Sequence, residues 1–86
     1  MYIQYVGFNF AASSRVYNFD VIDTKEAREF TVKVQSEAFR PARLKAQNGP
    51  GICFGRLEQE LQGETRESRA EVRLSIGERD IQEYLL

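Results

Sequence analysis

Eighty-six residues, 42% hydrophobic and 29% charged, make one small domain (residues 1–86) of ordinary globular composition. A net charge of −1 supplies no field toward nucleic acid or anionic membrane, and no apolar run approaches the ~18 residues of a membrane span. The chain has no histidine, which removes the usual general base, proton shuttle and metal ligand.

Residues 2–10 alternate in polarity, as a strand does. The segment MYIQYVGFNF lacks a basic leading region, so it reads as a strand rather than a signal peptide. Ala11 to Ser14 is a short loop of small residues. Residues 15–23 alternate again, with Tyr17, Phe19 and Val21 on one face. After a loop at 24–27, residues 28–36 place Phe30, Val32 and Val34 opposite Thr31, Lys33 and Gln35.

The hydrophobic pattern sets the pairing expected between these strands. Ala11 facing Ser14 sets Phe8 against Tyr17, Val6 against Phe19 and Gln4 against Val21. Asp23 facing Arg28 sets Val21 against Phe30, Phe19 against Val32 and Tyr17 against Val34. Both registers gather the aromatic and β-branched residues on one face, which predicts a three-stranded antiparallel meander.

Residues 37–47 are irregular. Ser36 can cap a single turn through Phe39, and Arg40 is biased away from helix by Pro41. Phe39 and Leu44 are the expected anchors onto the core. Residues 48–63 then read as the central helix. Asn48 is the expected N-cap and Pro50 suits an early position. Ile52, Cys53, Phe54, Leu57 and Leu61 form its apolar face, and Gly63 is expected as a left-handed C-cap. Gly55 is anomalous mid-helix, where glycine costs roughly 1 kcal/mol against alanine.

A charged link, 64–69, leads to residues 70–76. There Ala70, Val72, Leu74 and Ile76 alternate with polar residues and predict a fourth strand. The alternation argues against one long helix over 70–86. Ser75 and Glu78 match a capping box for a short helix over about 77–85. The expected fold is α+β, in the order β-β-β-α-β-α, with the central helix packed on the sheet.

Candidate chemistry is sparse. Glu58, Glu60, Glu64 and Glu67 alternate with basic residues and read as a solvated surface rather than a metal or acid–base site. Cys53, the only cysteine, excludes an internal disulfide and fits a reducing, cytoplasmic setting. It reads as a core residue, because no histidine is present to activate it. No catalytic, metal or cofactor site emerges, and the chain reads as a non-enzyme.

Two surfaces invite a partner. Under the registers above the outer sheet face carries Ile3, Tyr5, Gly7 and Asn9, then Val16, Asn18, Asp20 and Ile22, then Thr31, Lys33 and Gln35. It is half apolar. Ile3, Tyr5, Val16 and Ile22 are therefore the candidate interface, to be covered by the chain's own C-terminal segment, by a protein partner or by a second copy in a homodimer. A base-stacking platform would need more aromatics and a basic surround. The first strand lacks lysine or proline to block edge pairing. Arg40, Arg43 and Lys45, with Gly49 and Gly51 at the helix start, form a candidate anion site. No phosphate-loop or dinucleotide motif accompanies them. The leading expectation is a small self-associating interaction or regulatory module. The alternative is a nucleic-acid or anion-binding domain using 40–45 and 48–52.

Overall fold

The structure is a computed structural model that describes residues 1–86. Three strands, β1 (Tyr2–Ala11), β2 (Ser14–Ile22) and β3 (Ala27–Gln35), form an antiparallel meander. A 3-10 turn at Ser36–Phe39 and another at Ala46–Asn48 lead into α1 (Gly49–Gln62). The short strand β4 (Arg73–Ser75) then pairs parallel to β3, and α2 (Glu78–Leu85) ends the chain. The sheet order is β1-β2-β3-β4. The fold is α+β, with α1 packed on β2 and β3 and with α2 against α1.

The core is built on the faces of β2 and β3 expected from alternation, whereas Tyr2, Val6, Phe8 and Phe10 of β1, expected on the same face, are exposed. Tyr17, Phe19, Val21, Phe30, Val32 and Val34 are all buried under Ile52, Cys53, Leu57 and Leu61 of α1. Leu44 is buried and Phe39 partly so, which makes both the anchors expected of the linking segment.

The registers differ from expectation in two instructive ways. The β2–β3 pairing is displaced by two residues: Phe19 opposes Phe30 and Tyr17 opposes Val32. The turn is tighter than the loop expected over 24–27. The Asp23 N–H donates to the Glu26 carbonyl at 2.8 Å, and the Asp23 carboxylate accepts from the Thr24 N–H at 2.6 Å. Aspartate at the first turn position stabilises that geometry. A displacement of two leaves every side chain on its expected face.

In the first hairpin the expected register holds from Ala11↔Ser14 to Gly7↔Asn18. It then slips by one residue at a bulge between Tyr5 and Gly7. Beyond the bulge Tyr5 opposes Phe19 and Ile3 opposes Val21. A one-residue slip exchanges the two faces. Tyr5 and Ile3 therefore lie on the helix side of the sheet, not on the outer face expected for them. Gly7 takes φ +151°, a conformation that side chains disfavour and glycine permits.

The helix ends also depart from expectation. The Asn48 side chain caps nothing in α1; its Oδ1 accepts from the Lys45 N–H at 2.9 Å and closes the preceding 3-10 turn. Gly63 stays right-handed at φ −83°, and its N–H reaches the Gln59 carbonyl. At Gly55 no neighbouring atom lies within 4 Å of a notional Cβ, so close packing does not explain the glycine. The expected fourth strand contracts to three residues. Ala70, Leu74 and Ile76 are buried as predicted, but Val72 is exposed. The expected Ser75–Glu78 box is absent; instead the Gly77 N–H donates to Asp80 Oδ2 at 2.8 Å.

The segment before β4 is held by carboxylates. Glu64 accepts two hydrogen bonds from Arg28, at 2.6 and 3.2 Å, one from Arg69, and the Ala70 N–H at 2.9 Å. Glu60 accepts the Glu71 N–H at 3.0 Å. These contacts fasten the return chain to α1 and β3 and deliver Leu74 to the core. The Arg28 guanidinium first, then the Ala70 N–H, hold the Glu64 carboxyl down at about 2.

Candidate functional site at the open edge of the sheet

β3 is covered along Thr31–Lys33 by β4, whereas β1 has no neighbour on its outer side. In an antiparallel ladder alternate residues direct their N–H and C=O groups to either side. About half of the main-chain groups of this ten-residue strand therefore face outward without a strand partner.

The same strand carries an aromatic row on the helix side. Opposed residues share a face, so Tyr5, Phe8 and Phe10 extend the row of Phe19, Tyr17 and Arg15. Phe8 stacks on Tyr17 with centroids 5.3 Å apart, and Tyr5 lies 5.4 Å from Phe19. α1 covers β2 and β3, and the row emerges from beneath it. Tyr17 and Phe19 are 1% exposed, Tyr5 is 39%, Phe8 43% and Phe10 73%. Phe8 and Phe10 meet edge-to-face at 5.4 Å.

One cation is embedded in this row. The Arg15 guanidinium sits 4.2 Å from the centroid of Phe39, 5.3 Å from Phe10 and 5.6 Å from Phe8. Three aromatic faces hold it by cation–π attraction at the exposed end of the ledge. Nothing in the alternation of Arg15 or Phe39 alone signalled this cluster. It is created by the 3-10 turn that returns Phe39 to the end of β2.

The expected interface residues are therefore divided. Val16 and Ile22 lie on the outer face, where Tyr2 and Val6 join them rather than Ile3 and Tyr5. Tyr2 opposes Ile22, and Val6 lines a shallow depression with Asn18, Asp20, Glu29 and Thr31. α2 does not cover that face, because it packs on α1 at the other side of the sheet. Ile3 is partly buried against the core, and Tyr5 belongs to the aromatic ledge.

The basic residues 40–45 and the start of α1 are not brought together as one site. Arg40, Pro41, Ala42 and Arg43 form a tight turn closed by the Arg43 N–H and the Arg40 carbonyl at 3.0 Å, with Ala42 at φ +66°. Pro41 and a positive φ at the next residue suit a type II turn. Arg43 pairs with Glu78 at 2.7 Å, and Arg40 Nε donates to the Glu37 carbonyl. Both line a cleft of about 220 Å³ with Glu37, Gly77 and Glu78, beside α2 rather than α1. Lys45 is exposed.

Two of the three glycines of α1, Gly49 and Gly51, lie against tyrosines. A Cβ on Gly49 would overlap the buried Tyr17 ring, and one on Gly51 would come 2.9 Å from the Tyr84 hydroxyl. The Tyr17 hydroxyl lies against Gly49 without a hydrogen-bond partner, and burial raises its pKa. Cys53 is fully buried, and burial pushes its thiol up to about 12, which disfavours the nucleophilic thiolate. No group of three acidic or cysteine side chains could hold a metal ion, and no helix is long and apolar enough to cross a membrane.

Comparison with protein-family models, curated proteins and solved structures finds no match to this chain.

Proposed function

We propose that this protein is a small, non-catalytic interaction module that self-associates through the edge of β1. The single observation that carries this reading is the coincidence of an unpaired strand edge with exposed Tyr5, Phe8 and Phe10 on the adjoining face. Open edges in natural proteins are ordinarily blunted by lysine or proline, and β1 contains neither. A reducing, cytoplasmic setting suits its lone buried cysteine.

Magnitudes set the expected strength. Burying the exposed parts of Phe8 and Phe10 from two copies contributes roughly 5 kcal/mol. Association costs about 4–15 kcal/mol in lost freedom. The rings alone match only the low end of that cost, so main-chain pairing along the edge is needed over the rest of the range. The result is a concentration-dependent dimer rather than a permanent one.

Sedimentation equilibrium over a wide concentration range tests the reading, on the wild type and on Phe10→Glu. The expected result is a wild-type monomer–dimer equilibrium and a variant that stays monomeric while keeping its circular dichroism spectrum. A wild type that stays monomeric at every concentration sinks the proposal.

Nucleic-acid or anion binding through 40–45 and 48–52 is the weaker reading. Arg43 already faces Glu78, Arg40 faces the Glu37 carbonyl, and Gly49 and Gly51 are packed against tyrosines.

A further inference from the structure

We infer that β1 pairs antiparallel with β1 of a second copy in a register centred on Asn9, joining two four-stranded sheets into one of eight strands. The inference rests on the β1 edge being the docking element and adds its geometry.

Two features bound the usable edge. The bulge between Tyr5 and Gly7 interrupts the strand on one side, and the turn at Ala12–Ser13 ends it on the other. The straight run between them is Gly7–Ala11. A two-fold axis through Asn9 pairs the whole of this run with itself. Moving the axis toward either end forces Val6 or Ala12 into the ladder, where the backbone no longer runs straight.

Main-chain direction agrees with this centre. Ala11 and Ser14 close a two-residue turn, so Ala11, Asn9 and Gly7 form the hydrogen-bonded pairs with β2. The N–H and C=O groups of Phe8 and Phe10 then point to the open edge. About Asn9, Phe8 meets the partner's Phe10 as a reciprocally bonded pair, and Phe10 meets the partner's Phe8. Opposed side chains share a face, so the four phenylalanines gather on the helix side, and both copies of α1 lie on the same side of the joined sheet.

Charge and closure favour a second copy as the occupant. Gly7–Ala11 carries no charged side chain. The nearest cation, Arg15, is already enclosed by Phe39, Phe10 and Phe8. The two Arg15 strands are three strand spacings apart, about 14 Å, which exceeds the ~8 Å screening length at physiological salt. Once β1 is paired, the far edge of each sheet is the three-residue β4 with the uncovered ends of β3, where Arg28 and Glu29 are charged. Growth therefore stops at two.

Cysteine scanning along β1 tests the register. Asn9 is exposed and opposes itself in a non-hydrogen-bonded pair, with Cα atoms about 4.5 Å apart, inside the disulfide range of ~4.4–6.8 Å. Gln4, on the same outer face, would lie about 34 Å from its counterpart. Under oxidised glutathione, Asn9→Cys is expected to convert to a disulfide-linked dimer, while Gln4→Cys stays monomeric on a non-reducing gel. The buried Cys53 stays silent in both. A wild type that dimerises while Asn9→Cys fails to cross-link, or cross-links no faster than Gln4→Cys, overturns the register and leaves the edge-docking reading standing. A wild type that stays monomeric overturns both.

Discussion

Phe19 and Phe10 are both aromatic residues on the helix-side face of one sheet, in neighbouring strands. Phe19 is 1% exposed and Phe10 is 73% exposed. The difference lies in the helix above them and not in the strands. α1, at 14 residues, spans about 21 Å and lies over β2 and β3, so β1 continues the apolar row past the helix. Within an unbulged stretch, alternation therefore reports the face a side chain takes. It does not report whether a second layer reaches it.

The sharpest way to break this comparison is to truncate both residues. Phe19→Ala is expected to cost about 3–5 kcal/mol of unfolding free energy, because it leaves a cavity under α1. Phe10→Ala is expected to change the stability of dilute monomer by no more than about 0.5 kcal/mol. Urea denaturation at low protein concentration measures both. Similar losses would mean that the end of β1 is packed as tightly as the core.

A second test concerns how α1 is seated over the covered strands. Gly49→Ala places a methyl group where the Tyr17 ring sits, and Tyr17 is too buried to swing aside. Overpacking of this kind costs about 1–3 kcal/mol. The thermal midpoint should fall accordingly, whereas Gly55→Ala, which meets no atom within 4 Å, should raise it slightly. Equal effects at the two glycines would contradict the close approach of Tyr17.

The smallest effect concerns the clamp that completes the covered side by delivering β4 to β3. The folded carboxyl of Glu64 titrates at about 2, below its ordinary value of 4.5. The contribution of Glu64 is therefore fully present above about pH 5 and is lost as pH falls through 4.5 toward 2. Glu64→Gln should be less stable than wild type at neutral pH, and the two should converge near pH 2. A difference that persists unchanged into acid would assign the effect to packing rather than to the Arg28 pairing.

Much of the fold was legible in the sequence. The alternation of Tyr17, Phe19 and Val21 and of Phe30, Val32 and Val34 placed the core face correctly even where the β2–β3 register was off by two. Period-two patterns are indifferent to even displacements. The central helix was legible from Ile52, Cys53, Leu57 and Leu61, although its caps were not. Asn48 can equally close the turn before it, and it does so by accepting from the Lys45 main-chain N–H.

The candidate site was only half legible. The sequence showed that β1 lacks the residues that protect an edge. It could not place Ile3 and Tyr5, because a single bulge residue exchanges two faces and leaves no mark in polarity, Val6 and Tyr5 both being apolar. Nor could it assemble Arg15 with Phe8, Phe10 and Phe39, which are brought together by a turn some twenty residues away.

Local preference and periodicity act through neighbours in the chain, so the sequence by itself determined the element types, their order and the buried faces of β2 and β3. Tertiary structure decided the rest: the bulge, the narrow cover of α1 and the placement of β4 at β3, which together leave β1 as the open edge. Those outcomes depend on which surfaces a finite helix can reach and on where main-chain hydrogen bonds remain unpaired, and both are properties of packed layers in space.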